Sequence, residues 1–162
     1  MSRGLILRQR GFTVIEILLV IVIIGVFAAI AAPSFVTFTS SQKVKTASFD
    51  LYAAMMFARS EAIKRRVNVT VKPTDDVDWK NGWTIVEAGG GTTLRKQDAL
   101  SGVTFTSAST AVVYRLDGHL TPSVVVHVLI QPEIADSSVK NRCLRIDMTG
   151  LPKTTTDPTT CS

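Results

Sequence analysis

One carboxylate stands inside a run of residues that otherwise carries no charge. Residues 12–32 read FTVIEILLVIVIIGVFAAIAA, and Glu16 is the single ionisable side chain among them. A carboxylate in hydrocarbon is costly enough that it calls for a partner. The plain alternative is a side chain that snorkels to the membrane surface or carries a proton. Two thiols, Cys143 and Cys161, could bridge or hold a metal, and the compartment decides between those chemistries. Other groups converge less. His119 follows a turn glycine and His127 alternates within an apolar strand pattern, neither with a nucleophile context beside it. Gly89-Gly90-Gly91 lacks the Gly-Lys-Ser/Thr of a phosphate loop and reads as a hairpin tip. Asp75, Asp76 and Asp78 with Gly82 echo a calcium loop, but Lys80 occupies a would-be ligand position, so the loop reads as solvated. No catalytic constellation emerges. The chain reads as a non-enzyme without a cofactor.

The elements that must position Glu16 are set by the same apolar run. Twenty-one helical residues at about 1.5 Å each span roughly 31 Å, the thickness of a bilayer's hydrocarbon core. Arg3, Arg8 and Arg10 precede it with no acidic residue. By the positive-inside rule the N-terminus stays cytoplasmic and everything after Ala32 is exported. A cleaved secretory signal with Ala29-Ile30-Ala31 as its site is the competing reading. The length of the run and the embedded carboxylate argue against it.

Gly11-Phe12-Thr13-Val14-Ile15-Glu16, after a short basic leader and before an unbroken apolar helix, resembles the class III signal of type IV pilins and pseudopilins. Pro33, just beyond the run, also fits that family. The resemblance implies that prepilin peptidase cuts between Gly11 and Phe12 and methylates the new amine of Phe12. Residues 1–11 would then be a leader, and residues 12–33 a membrane anchor and filament-core helix with a break at Pro33. Glu16 would lie one turn from the new terminus, on the face of the amine, where the helix dipole favours a negative charge. In the family this carboxylate pairs with the terminal amine of a neighbouring subunit.

Beyond Pro33 the sequence predicts a second helical half over about 34–66. Val44, Ala47, Leu51, Ala54, Met55, Ala58 and Ala62 recur at three- and four-residue spacing. Arg59, Lys64, Arg65 and Arg66 gather at its end, where they complement the helix dipole. The anchor and this amphipathic half read as one long bent helix. Strands are expected over 67–72, 83–87, 103–106, 112–116, 124–130 and 143–148, with turns at Asp117-Gly118 and Thr149-Gly150. A long helix followed by many short strands gives an α+β class, with an antiparallel sheet packed on the exported half of the helix.

Ala58-Arg59-Ser60-Glu61-Ala62, the Gly82-Trp83 strand and Cys143 to Gly150 extend the resemblance to the GspH/FimT/FimU group of minor pilins and pseudopilins. The implied fold is the type IV pilin fold, with residues 34–162 as a periplasmic globular domain tethered to the bacterial inner membrane. The implied role is to prime or cap a type IV pilus, or a related type II secretion pseudopilus. Its implied partners are prepilin peptidase, other minor and major pilins or pseudopilins met through their N-terminal helices, and the inner-membrane assembly platform.

On the exported side the two cysteines read as a disulfide. Closing their eighteen-residue separation would contribute about 3 kcal/mol in the chain-entropy picture and staple the tail from Pro152 to the last strand. A metal site is set aside, because two distant thiols come without a clustered pair of histidines. The competing function is DNA uptake of the FimT type, with Lys140, Arg142, Arg145 and Lys153 on phosphates. FimT-type proteins that bind DNA carry Gly-Arg-x-Arg near the C-terminus. Here the corresponding stretch is Gly150-Leu151-Pro152-Lys153, and no aromatic residue follows Tyr114 to stack on bases.

Composition agrees once the charges are placed. The 46% apolar and 19% charged residues exclude a disordered polyampholyte. The +5 net charge includes the three leader arginines, so the mature chain would hold fifteen basic residues against thirteen acidic ones. Much of the pI of about 9.5 is therefore a topology signal. We expect mass spectrometry of the mature protein to find N-methylated Phe12 as its first residue. A terminus near Ala32 would identify a cleaved secretory signal instead.

Overall fold

A computed structural model describes residues 12–89, 91–156 and 161, with the side chains of 30–33 outside that description. The chain divides into two units, residues 1–36 and 37–162. The helix α1 (Val14–Arg65) contributes to both.

In the first unit α1 is apolar around its circumference apart from Glu16 in its first turn, and every described side chain from Val14 to Ala29 is exposed. Val14 is 77% exposed, and even Ile23 is 45% exposed. A helix of this kind belongs in lipid or in a bundle, because water penalises it on all sides. Among the described residues no single helix is long and apolar enough to cross a membrane. Val14–Ala29 and Ser34–Arg65 taken together meet that length and composition. The expected break at Pro33 falls on side chains outside the described residues, as does Gly11.

The second unit is built on one face of α1. Val44, Ala47, Ser48, Leu51, Ala54, Met55, Ala58, Glu61 and Ala62 are all buried. Their three- and four-residue intervals keep them on one side of the helix. The helix ends at Arg65, and Arg66 adopts a left-handed φ of 55° that turns the chain into the first strand.

Among the described residues nine strands follow: β1 (Val69–Pro73), β2 (Trp83–Glu87), β3 (Thr93–Gln97), β4 (Val103–Ser107), β5 (Val112–Tyr114), β6 (Leu120–Thr121), β7 (Val126–Pro132), β8 (Arg142–Ile146) and β9 (Pro152–Thr155). They form two sheets in the orders β3-β2-β1-β5-β6 and β4-β7-β8-β9. Every pairing is antiparallel. Both sheets send alternate residues into one core with the helix face: Val69, Val71, Trp83, Ile85 and Tyr114 from the first, and Val128, Ile130, Leu144 and Ile146 from the second.

The two-sheet division is finer than the single sheet expected from sequence, and three strands were not foreseen. β3 reads TLRKQ and lies at a sheet edge with little burial, so it shows no apolar alternation. β6 has two residues. β9 opens with Pro152, which an edge strand tolerates because its missing N–H breaks no ladder. The tail expected to hang from the last strand is thus, in its first part, a strand itself.

The sheets meet where β6 and the turn after β8 converge. The Leu120 amide donates to the Met148 carbonyl at 3.3 Å. Arg59 Nε of α1 donates to the Gly118 carbonyl at 3.1 Å, fixing one turn on the helix. Gly150 sits against that same carbonyl, with a φ of 79°, and a Cβ there would stand 2.1 Å from the Gly118 oxygen. Gly150→Ala should therefore cost roughly 2 kcal/mol or more through backbone strain and forced separation of the two turns. Urea denaturation with an unchanged slope and a lowered midpoint is the expected result.

Candidate functional site

The start of α1 carries a reciprocal cap. Thr13 precedes the first helical residue, and its hydroxyl lies 3.3 Å from the Glu16 amide it accepts from. In return the Glu16 carboxylate accepts from the Thr13 amide at 3.0 Å and from its hydroxyl at 3.2 Å. This is a capping box, in which two groups orphaned at the helix start satisfy each other. The signal was present in the sequence as Thr-x-x-Glu opening an apolar run, yet the family resemblance drew attention to position 16 alone. Glu16 therefore has an intramolecular partner within its own first turn. Phe12 stands beside this cap with 84% of its surface exposed.

At the other end of the chain, Cys143 and Cys161 are joined by a disulfide with Cα atoms 5.6 Å apart. Cys143 is buried on β8 and pairs across β7 with Leu129, two residues from His127. That register sets His127 near Cys143, and the disulfide brings the Cys161 sulfur beside them, so that one ligand atom from each of the three residues lies within 4.8 Å of the others. His127 Nδ1 is buried and has no hydrogen-bond partner among the described residues. The sequence offered no way to see this neighbour, because it depends on which residue of β7 faces which residue of β8.

The basic residues near the C-terminus do not form one surface. Arg145 and Lys153 pair across β8 and β9. Arg142 is three residues from Arg145, hence on the opposite side of the strand, where its guanidinium stacks 5.9 Å from the Phe49 ring of α1. Lys140 is exposed in the segment before β8. At the helix end Lys64 and Arg65 pair with carboxylates. Arg65 bonds Glu61 at 2.5 Å and Glu87 at 2.8 Å, and the Arg65 hydrogen bond holds the Glu61 carboxyl below its ordinary range.

The acidic loop is spent on its own backbone. Asp75 accepts from the amides of Val77 and Asp78, both at 3.0 Å, and from the Asn81 side chain at 2.7 Å. Asp78 caps the 3-10 turn Trp79–Asn81 by accepting from the Lys80 amide at 2.9 Å, and Asp76 pairs with Lys72 at 2.7 Å. His119 is exposed beside Asp117, whose carboxylate accepts from the His119 amide at 3.1 Å. Gly89 and Gly91 lie in the β2–β3 connection, as a hairpin tip should.

An all-apolar helix with a capped acidic start, followed by a helix face enclosed by two antiparallel sheets, defines a pilin-type subunit. The sequence profile of the prokaryotic N-terminal methylation motif matches residues 6–32, and that of the type II transport protein GspH matches residues 47–150. The chain belongs to the GspH family. Such proteins are structural and not enzymes.

A fimbrial protein of Pseudomonas aeruginosa is 33% identical over 76 residues, 47% of this chain and 49% of that protein. The type IV major pilin PilA of Myxococcus xanthus is 48% identical over 46 residues, 28% of this chain and 21% of that one. The chain thus spans about half the length of the first of these relatives, 49%. Among solved structures, the type IV minor pilin FimU of Pseudomonas aeruginosa superposes with a TM-score of 0.62 at 25% identity, covering 76% of this chain and 94% of that one. The minor pseudopilin EpsH of the Vibrio cholerae type 2 secretion system shares the fold at a TM-score of 0.55 and 12% identity, covering 70% and 96%. Together these agree with the GspH family assignment and with a pilin or pseudopilin fold.

The acidic loop gives a pH-dependent test of its structural role. The Asn81 amide, followed by the amides of Asp78 and Val77, lowers the Asp75 carboxyl from 3.8 to about 2. A depressed carboxylate stabilises the fold above its ordinary pKa, and that contribution is lost as pH falls through the folded value. NMR titration should place the Asp75 midpoint near 2. Asn81→Ala should raise it towards the ordinary range and move acid unfolding to higher pH.

Proposed function

We propose that this chain is a minor pilin that primes or caps assembly of a type IV pilus, or of a related type II secretion pseudopilus, together with other minor pilins. The likeness to the minor pilin FimU over 94% of its solved chain is the observation that carries this reading. In this reading residues 1–11 are the leader, residues 12–33 the anchor and filament-core helix with its break at Pro33, and residues 34–162 the periplasmic domain. Prepilin peptidase cleaves between Gly11 and Phe12 and methylates the Phe12 amine. The subunit then waits in the bacterial inner membrane, single-pass, until the assembly platform extracts it.

The cap at the helix start gives this sequence a physical form. In the waiting subunit, Glu16 is satisfied by the Thr13 amide and hydroxyl. During assembly the Phe12 amine of a neighbouring subunit offers a full positive charge in place of a neutral donor. A charge-assisted hydrogen bond is stronger than a neutral one, and low dielectric strengthens it further. Docking thus exchanges a local cap for an intersubunit ion pair, while the exposed apolar surface of the anchor packs against neighbouring helices.

Two measurements test the reading. Glu16→Ala should leave membrane insertion and cleavage intact but lower recovery in sheared filaments by roughly tenfold or more, the equivalent of ~1.4 kcal/mol. Normal incorporation would sink the proposed role of Glu16. Deleting the gene should reduce the number of filaments per cell more than their length, as expected when initiation is lost. Normal filament number with loss of DNA uptake alone would overturn the priming role in favour of a competence function.

A further inference from the structure

We propose that the chain in its reduced state carries a divalent transition-metal site formed by Cys143, Cys161 and His127, and that disulfide formation closes it. The three residues come from β8, the C-terminal segment and β7, and their ligand atoms lie within 4.8 Å of one another. Around a tetrahedral zinc ion, thiolate and imidazole donors stand roughly 3.5–3.8 Å apart. The register of β7 on β8 sets His127 near Cys143, and the disulfide bond sets the Cys161 sulfur beside both. Cα atoms 5.6 Å apart leave both sulfurs able to share one ion once the bond between them is absent.

The buried histidine nitrogen supplies an independent reason. His127 Nδ1 is shielded from water without a hydrogen-bond partner among the described residues. Buried nitrogens are almost always satisfied, so an orphan beside two sulfurs calls for an explanation. A disulfide offers it only a poor acceptor. A metal ion held by two thiolates would bond directly to an imidazole nitrogen.

Two thiolates and one neutral imidazole balance the charge of a divalent ion. Sulfur-rich sets of this kind select zinc over magnesium or calcium. Three protein ligands leave a fourth position for water, on a side where His127 and Cys161 are only half-buried.

The chemistry balances in both directions. The chain is synthesised with two thiols, and metal binding displaces their two protons. A protein disulfide acting as oxidant then removes two electrons from the thiolate pair. The Cys143–Cys161 bond forms, the oxidant's own disulfide breaks, two protons complete its thiols, and the metal ion returns to solvent. Before oxidation the site holds Cys161 beside Cys143, the pairing that the disulfide later makes permanent.

Cobalt(II) alone is the probe. The purified full chain in detergent micelles is reduced with dithiothreitol, desalted without oxygen and titrated. We expect one equivalent to give tetrahedral ligand-field bands with thiolate-to-cobalt charge transfer, and zinc to displace them. The oxidised chain should give neither band. His127→Gln should weaken cobalt binding at least ~10-fold, since even the loss of an outer-shell partner costs that much, while air oxidation still yields its disulfide. Cys143→Ser should abolish the charge-transfer bands. Circular dichroism alongside shows whether reduction loosens the domain, in which case bands and secondary structure should return together. Absence of tetrahedral bands in the reduced chain, or equal affinity in His127→Gln, would overturn the proposal.

Discussion

Between Val44 and Ala62, α1 returns its buried residues to one side every three or four positions, and both sheets close over that side. Four of those residues are alanines, at positions 47, 54, 58 and 62. Small side chains let strands approach the helix backbone closely, while Leu51 and Met55 fill the volume between the sheets. Full burial of such a side chain is worth about 1.5–3 kcal/mol. The sheets meet through the bond from Leu120 to Met148, the Gly118–Gly150 contact and the edge-on Trp83–Phe105 ring pair, with centroids 6.2 Å apart. Removing the helix face would leave each sheet with an apolar side open to water. The enclosed face is therefore the constraint on which the whole second unit rests.

That constraint also explains why one helix carries two kinds of surface. From Val14 to Ala29 it is apolar all round and exposed, whereas from Val44 to Ala62 only one stripe is apolar enough to be buried. A stripe can be satisfied by the chain's own strands, whereas the described side chains of the apolar stretch all stay exposed. The ends of the helix are fastened by different means. Thr13 and Glu16 cap the start, and Arg65 bridges Glu61 and Glu87 at the finish, tying the last turn to β2. Glu61 is buried yet charged, which is tolerable because its partner lies one turn away and bonds it directly.

Sequence patterning revealed what depends on local period. Each of the seven apolar positions read from the helical repeat is buried, and Val126, Val128 and Ile130 alternate inward along β7 as expected, although Val124 falls before the strand and stays exposed. Features that depend on pairing were hidden. β3 lacks an apolar face and β6 is too short for periodicity to register. The division of Arg142 from Arg145 followed from a three-residue spacing in a strand, a parity visible in the sequence once a strand is assumed. The approach of His127 to the two sulfurs needed the register of β7 on β8, which no local pattern encodes.

The charges lead to a final consequence for how such a subunit meets its neighbours. Lys80 pairs with Glu133, Lys72 with Asp76, Arg115 with Asp117, and Arg65 with two glutamates. Long-range steering requires an unbalanced field, and local pairing on this scale cancels much of it. Without strong steering, three-dimensional encounter would be slow and poorly oriented. In the proposed membrane-anchored state the domain would not depend on it. Confinement to one membrane plane raises the effective concentration of partners and fixes the axis along which subunits face one another, as tethering does for any linked pair. On the proposed reading, the exposed apolar circumference would supply both the contact surface and the means of finding it. The sheets would be left free to set the specificity of shape.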